Sequence, residues 1–407
     1  MKRILIKNFK NLNNYGSGMM GLVTIKKLNE AFDGDVEFYS DFDEYADMPE
    51  IVRELDKDIS LKVFKKEYKD SPFRILDRFY NLYNIVSNDQ AKLFDMMIVL
   101  GGDDLSEYYG KHVWPLFLNY YSWSFKTKVV LLGQSIGPFK FWLNRLTFKK
   151  MARRCKIFTR DRFCYEYLEK DMGIKKNMVL SGDLAFLDLP LQHDKIYEAE
   201  ILKTYGLQSG QYINIVISGL VGKYYTDDIS KYFNSYKRLI DLLKSIPELS
   251  DKKICFLAHT FPPHGDEAGI LEKFEEYLDG KTENLVFIKD KVLQAAARFI
   301  LGNGIFTVTG RMHASVSTFQ MGKPSISLSY SVKYRGVIGD NLGRNDLIIE
   351  ANDPKLWENG EIANIILDKV KYILNEYTLL TSEIETKVKE QQELVNTALN
   401  DVVSNLK

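Results

Sequence analysis

The chain has 407 residues, 45% of them hydrophobic and 27% charged, and its 55 basic side chains balance its 55 acidic ones. That length exceeds what one hydrophobic core usually supports, so two soluble, globular domains are expected. A net charge of zero gives no general attraction to polyanions, so nucleic acid is not expected as a partner.

The N-terminus, "MKRILIKNFKNLNN", has no long apolar run and no small-residue cleavage site. No export is therefore expected, and the protein is placed in the cytoplasm. "RILIKNF" predicts a first strand, followed by a Gly-containing loop and a helix through "MMGLVTIKKLNEAF". "DMMIVLGG", "KVVLLGQSIGP", "CKIFT" and "NMVLSGD" predict further strands. Their apolar runs are continuous, which suits strands buried on both faces. The rhythm restarts with "YINIVIS", "KICFLAH", "NLVFI", "GIFTVTG" and "SISLSY". Two such sets predict an α/β fold of two Rossmann-like domains with parallel sheets, 1–190 and 191–375. The join is expected near "FLDLPLQHDKIYEAE". From 376 to 407, Leu380, Ile384, Val388, Val395, Leu399, Val402 and Leu406 recur at helical spacing. They predict an amphipathic helix that packs on a domain, with a return to the first as one option. Cys155, Cys164 and Cys255 are odd in number and fit no metal spacing, so reduced thiols are expected.

Ligands of open α/β sheets sit beyond the carboxyl ends of the strands, so strand-end residues carry the functional reading. "TGRMHAS" places Gly310 at a tight turn and predicts a helix from about Arg311 to "MGKP". A helix start plus an arginine makes an anion site. His313 in its first turn is protonated most readily when a polyanion is bound beside it, which suits a general acid. "KIFTRDR" puts Arg160 at a similar turn, with Asp161 as a helix cap, and makes it a candidate second clamp on the anion. "NNYGSGMM" carries Gly16 and Gly18 but is not G-x-G-x-x-G, so no dinucleotide site is expected. "AHTFPPHGDE" offers His259, His264, Asp266 and Glu267. A third ligand at a recognised spacing is missing, so no metal is expected, and His259 is read as a substrate contact. His112 and His193 are isolated and read as structural or exposed. "SYSVKYRG" clusters Tyr330, Lys333 and Arg335 after the last strong strand, and Lys333 is a point charge for a phosphate. Residues 140–156 carry seven basic side chains, no acidic one, and Phe141, Trp142, Phe148 and Met151 between them. This segment is either a basic helix over the first sheet or one that lies on an anionic membrane surface. "PFRILDRFYNLYNIV" has a similar character.

Taken in order, "NNYGSG", "GGDD", "GQSIGPF", "TRDR", "SGDLAF", "AHTFPPHGDE", "TGRMHASV" and "SYSVKYRGV" resemble the polysaccharide pyruvyl transferase family. The resemblance implies a GT-B-like fold, two Rossmann-like domains facing across a cleft, with phosphoenolpyruvate as donor. It implies a pyruvate ketal as product, on a sugar of a bacterial surface polysaccharide or its undecaprenyl-linked precursor. It makes His313 the acid and Arg311 and Arg160 donor-binding; Gly310, Met312 and Lys333 are read beside them on the donor. Asn14, Gly16, Ser17, Gly102, Asp103, Gln134, His259 and Tyr330 fall to the cleft or the acceptor. No cofactor is implied besides phosphoenolpyruvate as co-substrate. The family pattern has an acidic residue where Ser17 stands and a third glycine where Asp103 stands. A nucleotide-sugar glycosyltransferase on the same architecture is the alternative. It requires a base pocket and an acidic ribose contact, and the sequence displays neither.

Overall fold

The computed structural model describes residues 1–55, 58–67, 69, 76–108 and 110–406. Thirteen strands are formed among them: β1 Lys2–Lys7, β2 Val36–Ser40, β3 Leu61–Val63, β4 Met96–Leu100, β5 Lys128–Gln134, β6 Lys156–Thr159, β7 Met178–Leu180, β8 Tyr212–Val216, β9 Lys253–Leu257, β10 Leu285–Ile288, β11 Thr307–Thr309, β12 Ser325–Ser329 and β13 Ile348–Glu350. They make two wholly parallel sheets, ordered β3-β2-β1-β4-β5-β6-β7 and β10-β9-β8-β11-β12-β13. In each, the strand order reverses once, between β1 and β4 and between β8 and β11. Doubly wound sheets bind ligands at such reversals.

In the first sheet Met96–Leu100 is a short apolar run with every residue buried; in the second, Tyr212–Val216, Thr307–Thr309 and Ser325–Ser329 are equally buried but set Asn214 and several Thr and Ser side chains among their apolar residues. Each fully buried Leu, Ile or Val side chain contributes roughly 1.5–3 kcal/mol, so these runs fix the sheet centres. Every strand expected from sequence is present. Three others are not apolar runs: β2 carries Glu37, which takes hydrogen bonds from Tyr39 and Lys62, and β3 and β13 are edge strands of three residues.

The chain divides into two compact units. The first holds Met1–Asn11, Met20–Leu184 and Gln391–Lys407; the second holds Leu12–Met19 and Ala185–Glu390. The loop after β1 and the first turn of the helix Tyr15–Ala31 thus group with the second unit, although they lie early in the chain. The helix Tyr377–Ser404 likewise contributes to both: Leu380, Ile384 and Val388 are buried in the second, Val395, Leu399 and Val402 in the first. The three cysteines are unpaired and buried. Residues 72–75 of "PFRILDRFYNLYNIV" lie outside the described residues. Among the described residues no helix is long and apolar enough to cross a membrane.

Candidate functional site

In the second unit, β11 ends at Thr309 and the helix Met312–Gln320 begins three residues later. Gly310 N–H donates to Val216 O of β8, and a Cβ on Gly310 would meet the Tyr225 hydroxyl at 2.8 Å. The Tyr334 and Tyr225 hydroxyls both donate to Gly310 O. Arg311 stands at the N-cap in extended conformation, and no side chain caps the helix start. Thr309 Oγ1 accepts from Arg311 N–H at 2.8 Å and fixes the turn. The site therefore occupies the reversal between β8 and β11.

The Arg311 side chain is 12% exposed, and its Nε donates to the Glu267 carboxylate. Glu267 is fully buried and also accepts from His259 N–H (2.8 Å) and Gly219 N–H (3.3 Å). One carboxylate thus ties together the segments that follow β8, β9 and β11. Burial alone would lower the Arg311 pKa; the Glu267 carboxylate outweighs it and the guanidinium is held above its ordinary range. Arg311 Nη2 is buried with no hydrogen-bond partner. Gly265 leaves room for it, since a Cβ there would stand 3.0 Å away.

His313 lies against Gly16: a Cβ on residue 16 would fall 2.2 Å from the imidazole Nδ1. Asn14 Oδ1 accepts from Gly16 N–H, and Asn14 bridges to Thr260, which brings the first loop to the segment after β9. Gln294 Nε2 donates to Leu12 O, and Asn13 Nδ2 donates to Pro262 O. His259 is 1% exposed, packs edge-on against Tyr15, and its buried Nε2 has no hydrogen-bond partner. Burial, and then the nearby His313 and Arg311, push its pKa well below the ordinary imidazole value. At the rim, Tyr330 stacks on Tyr224 at 4.2 Å with Lys333 over its ring at 5.0 Å.

Residues 14–332 match the family model described as polysaccharide pyruvyl transferase. The chain belongs to this family. The amylovoran biosynthesis protein AmsJ of Erwinia amylovora is 23% identical over 331 residues, covering 78% of this chain and 74% of that protein. Among solved structures, UDP-GlcNAc 2-epimerase from Neisseria meningitidis superposes with a TM-score of 0.65 at 10% identity, covering 100% of this chain and 99% of that one. The Methanocaldococcus jannaschii UDP-GlcNAc 2-epimerase gives 0.57 at 14%, covering 92% and 93%. At such identities the likeness shows the fold alone, which is GT-B-like.

In this pyruvyl transferase the second unit brings together Arg311, His313, Gly310, Met312, His259, Asn14, Gly16, Ser17, Tyr330 and Lys333. Met312 is 4% exposed, so its side chain belongs to the core and only its backbone stands at the helix start. Arg160, Gln134, Gly102 and Asp103 belong to the first unit. Two of them differ from expectation. Arg160 is not a ligand-facing clamp: it is 1% exposed, its Nη1 pairs with buried Asp183 at 2.9 Å, and its Nε donates to Ser135 Oγ. The carboxylate of "SGDLAF" needs an internal countercharge, and Arg160 is that charge. Gln134 is fully buried and its Nε2 donates to Val99 O and Leu100 O, bracing β5 against β4. Gly102 O accepts from Ser135 N–H, and Asp103 is half-buried beside this network.

Glu267 is the residue whose role the sequence obscured. Its place in "PPHGDE" invites a metal reading, yet its partners are Arg311 and two backbone N–H groups. Among the described residues no group of three or more His, Cys, Asp and Glu is arranged to hold a metal. The signal available in the sequence was Asp266, which caps the helix Glu267–Tyr277 and so places Glu267 at a fixed first-turn position.

Proposed function

We propose that this polysaccharide pyruvyl transferase takes its pyruvyl group from phosphoenolpyruvate. The group passes to a sugar of a bacterial surface polysaccharide or its lipid-linked precursor, giving a pyruvate ketal and free phosphate. The observation that carries the reading is the buried Arg311, paired on one side by Glu267, with Nη2 left without a hydrogen-bond partner at an uncapped helix start. A buried donor without a partner is costly, and a bound anion supplies what it lacks. Arg311 and the backbone at Met312 hold the donor's anionic groups, and Lys333 at the rim adds a point charge. His313 gives a proton to the methylene carbon of the donor, which leaves C2 cationic. One sugar hydroxyl adds at C2 and loses its proton. A second hydroxyl displaces phosphate from C2, its proton leaving with the phosphate, and closes the ketal. Asn14, Gly16, Ser17 and Tyr330 border the place where the acceptor would lie, and neutral His259 contacts the bound substrates through Nε2.

The test is a thermal-shift panel of phosphoenolpyruvate, pyruvate, phosphate and UDP-GlcNAc, then phosphate release with acceptor sugars. A ligand at a hundred times its Kd stabilises by about 2.7 kcal/mol, which a melt resolves. Phosphoenolpyruvate should shift the wild type and His313→Ala alike, and Arg311→Ala little. His313→Ala should lose about 10²- to 10⁴-fold in turnover. A shift with UDP-GlcNAc alone would move the protein to nucleotide-sugar chemistry. Retention by His313→Ala of more than about a tenth of wild-type turnover would remove the acid role.

A further inference from the structure

The helix Trp142–Ala152 of the first unit has one buried face, Asn144, Thr147, Phe148, Met151 and Ala152. The opposite face, at helical spacing, presents Trp142 (65% exposed), Leu146 (44%), Lys149, Lys150 and, just past the helix end, Arg153. Lys140 is exposed at the helix start. None of these four cations forms an ion pair among the described residues. The carboxylate at this end, Glu107, is committed to the Lys140 and Phe141 N–H groups and to Asn144, which anchors the helix start. Those bonds outweigh its burial and hold its pKa below the ordinary range. An open pocket lined by Glu107, Lys111, Lys140, Phe141 and Trp142 adjoins the exposed face.

A core helix of a soluble protein does not ordinarily leave a Trp and a Leu, one turn apart, on the face that carries its cations. We propose that this face is a docking surface for an anionic lipid bilayer. The cations meet headgroup phosphates, while Trp142 and Leu146 enter the interfacial layer, where indole rings are favoured. A soluble polyanion would account for the cations and would gain nothing from Leu146. Binding of this kind is peripheral and reversible, and it would hold the protein where a lipid-linked acceptor resides.

The test is co-sedimentation of the full chain with extruded vesicles of phosphatidylcholine, with and without phosphatidylglycerol, at low and moderate salt. Binding is expected only with phosphatidylglycerol and should weaken with salt. Each cation near such a surface is worth roughly fivefold, so Lys149→Glu/Lys150→Glu/Arg153→Glu should weaken binding by about a hundredfold or more. Trp142→Ser/Leu146→Ser should also weaken it, while leaving binding to dextran sulfate unchanged. Both variants alter exposed side chains, and matching thermal melts verify their fold. The proposal is overturned if the wild type does not sediment with phosphatidylglycerol vesicles at low salt. It is equally overturned if Trp142→Ser/Leu146→Ser binds them as the wild type does, which would assign the cations to a soluble polyanion.

Discussion

A side chain at position 16 would occupy the space of the His313 imidazole, since even a Cβ would lie 2.2 Å from Nδ1. Gly16→Ala is therefore expected to push the ring aside. Turnover should fall by at least about tenfold while the phosphoenolpyruvate thermal shift survives, because Arg311 is untouched. Kinetics and melts on one preparation separate these. His259 makes a different prediction. Burial holds its folded pKa well below the ordinary imidazole value of about 6.5, so the unfolded chain takes up the proton first. The stability from keeping it neutral is present above about pH 6.5 and is lost as pH falls below that, by up to about 1.4 kcal/mol per pH unit. His259→Gln should flatten that part of the slope in urea unfolding between about pH 6.5 and 5. An unchanged slope would assign it to other groups.

Strand ends carry two kinds of arginine here, and the local sequence does not tell them apart. Arg311 follows β11 and Arg160 follows β6, each beside a helix start. Arg311 keeps a donor without a partner, whereas Arg160 is consumed by Asp183, which lies twenty-three residues further along. Breaking such a buried pair on one side costs about 3–5 kcal/mol, because a carboxylate is left without countercharge. Arg160→Met should show that loss in urea unfolding, and Arg160→Met/Asp183→Leu should regain most of it. A ligand-binding role for Arg160 would instead leave stability near wild type and abolish the phosphoenolpyruvate shift. The same blindness explains β2, β3 and β13. The central strands of the first sheet are legible because burial on both faces favours apolar runs. An edge strand needs no such run, and β2 hides a Glu37 that Lys62 pairs with and Tyr39 donates a hydrogen bond to.

Each unit borrows from distant chain. The last helix completes the first unit through buried Val395, Leu399 and Val402 and through the Lys156–Asp401 ion pair at 2.8 Å. Val402→Asp would bury a carboxylate among these side chains and should cost at least about 3 kcal/mol. The transition reported by Trp114, Trp123 and Trp142, all in the first unit, should move to lower urea. The sequence alone determined the α/β class, the run of central strands and the turn that presents Arg311 and His313, because periodicity, glycines and helix starts are local properties. Tertiary structure alone decided that Leu12–Met19 joins the second unit, that Gly16 backs His313, that Glu267 holds Arg311 and that Arg160 is spent on Asp183. Each of those is a pairing across long sequence separation, and only close packing and the demand that buried charges find partners select it.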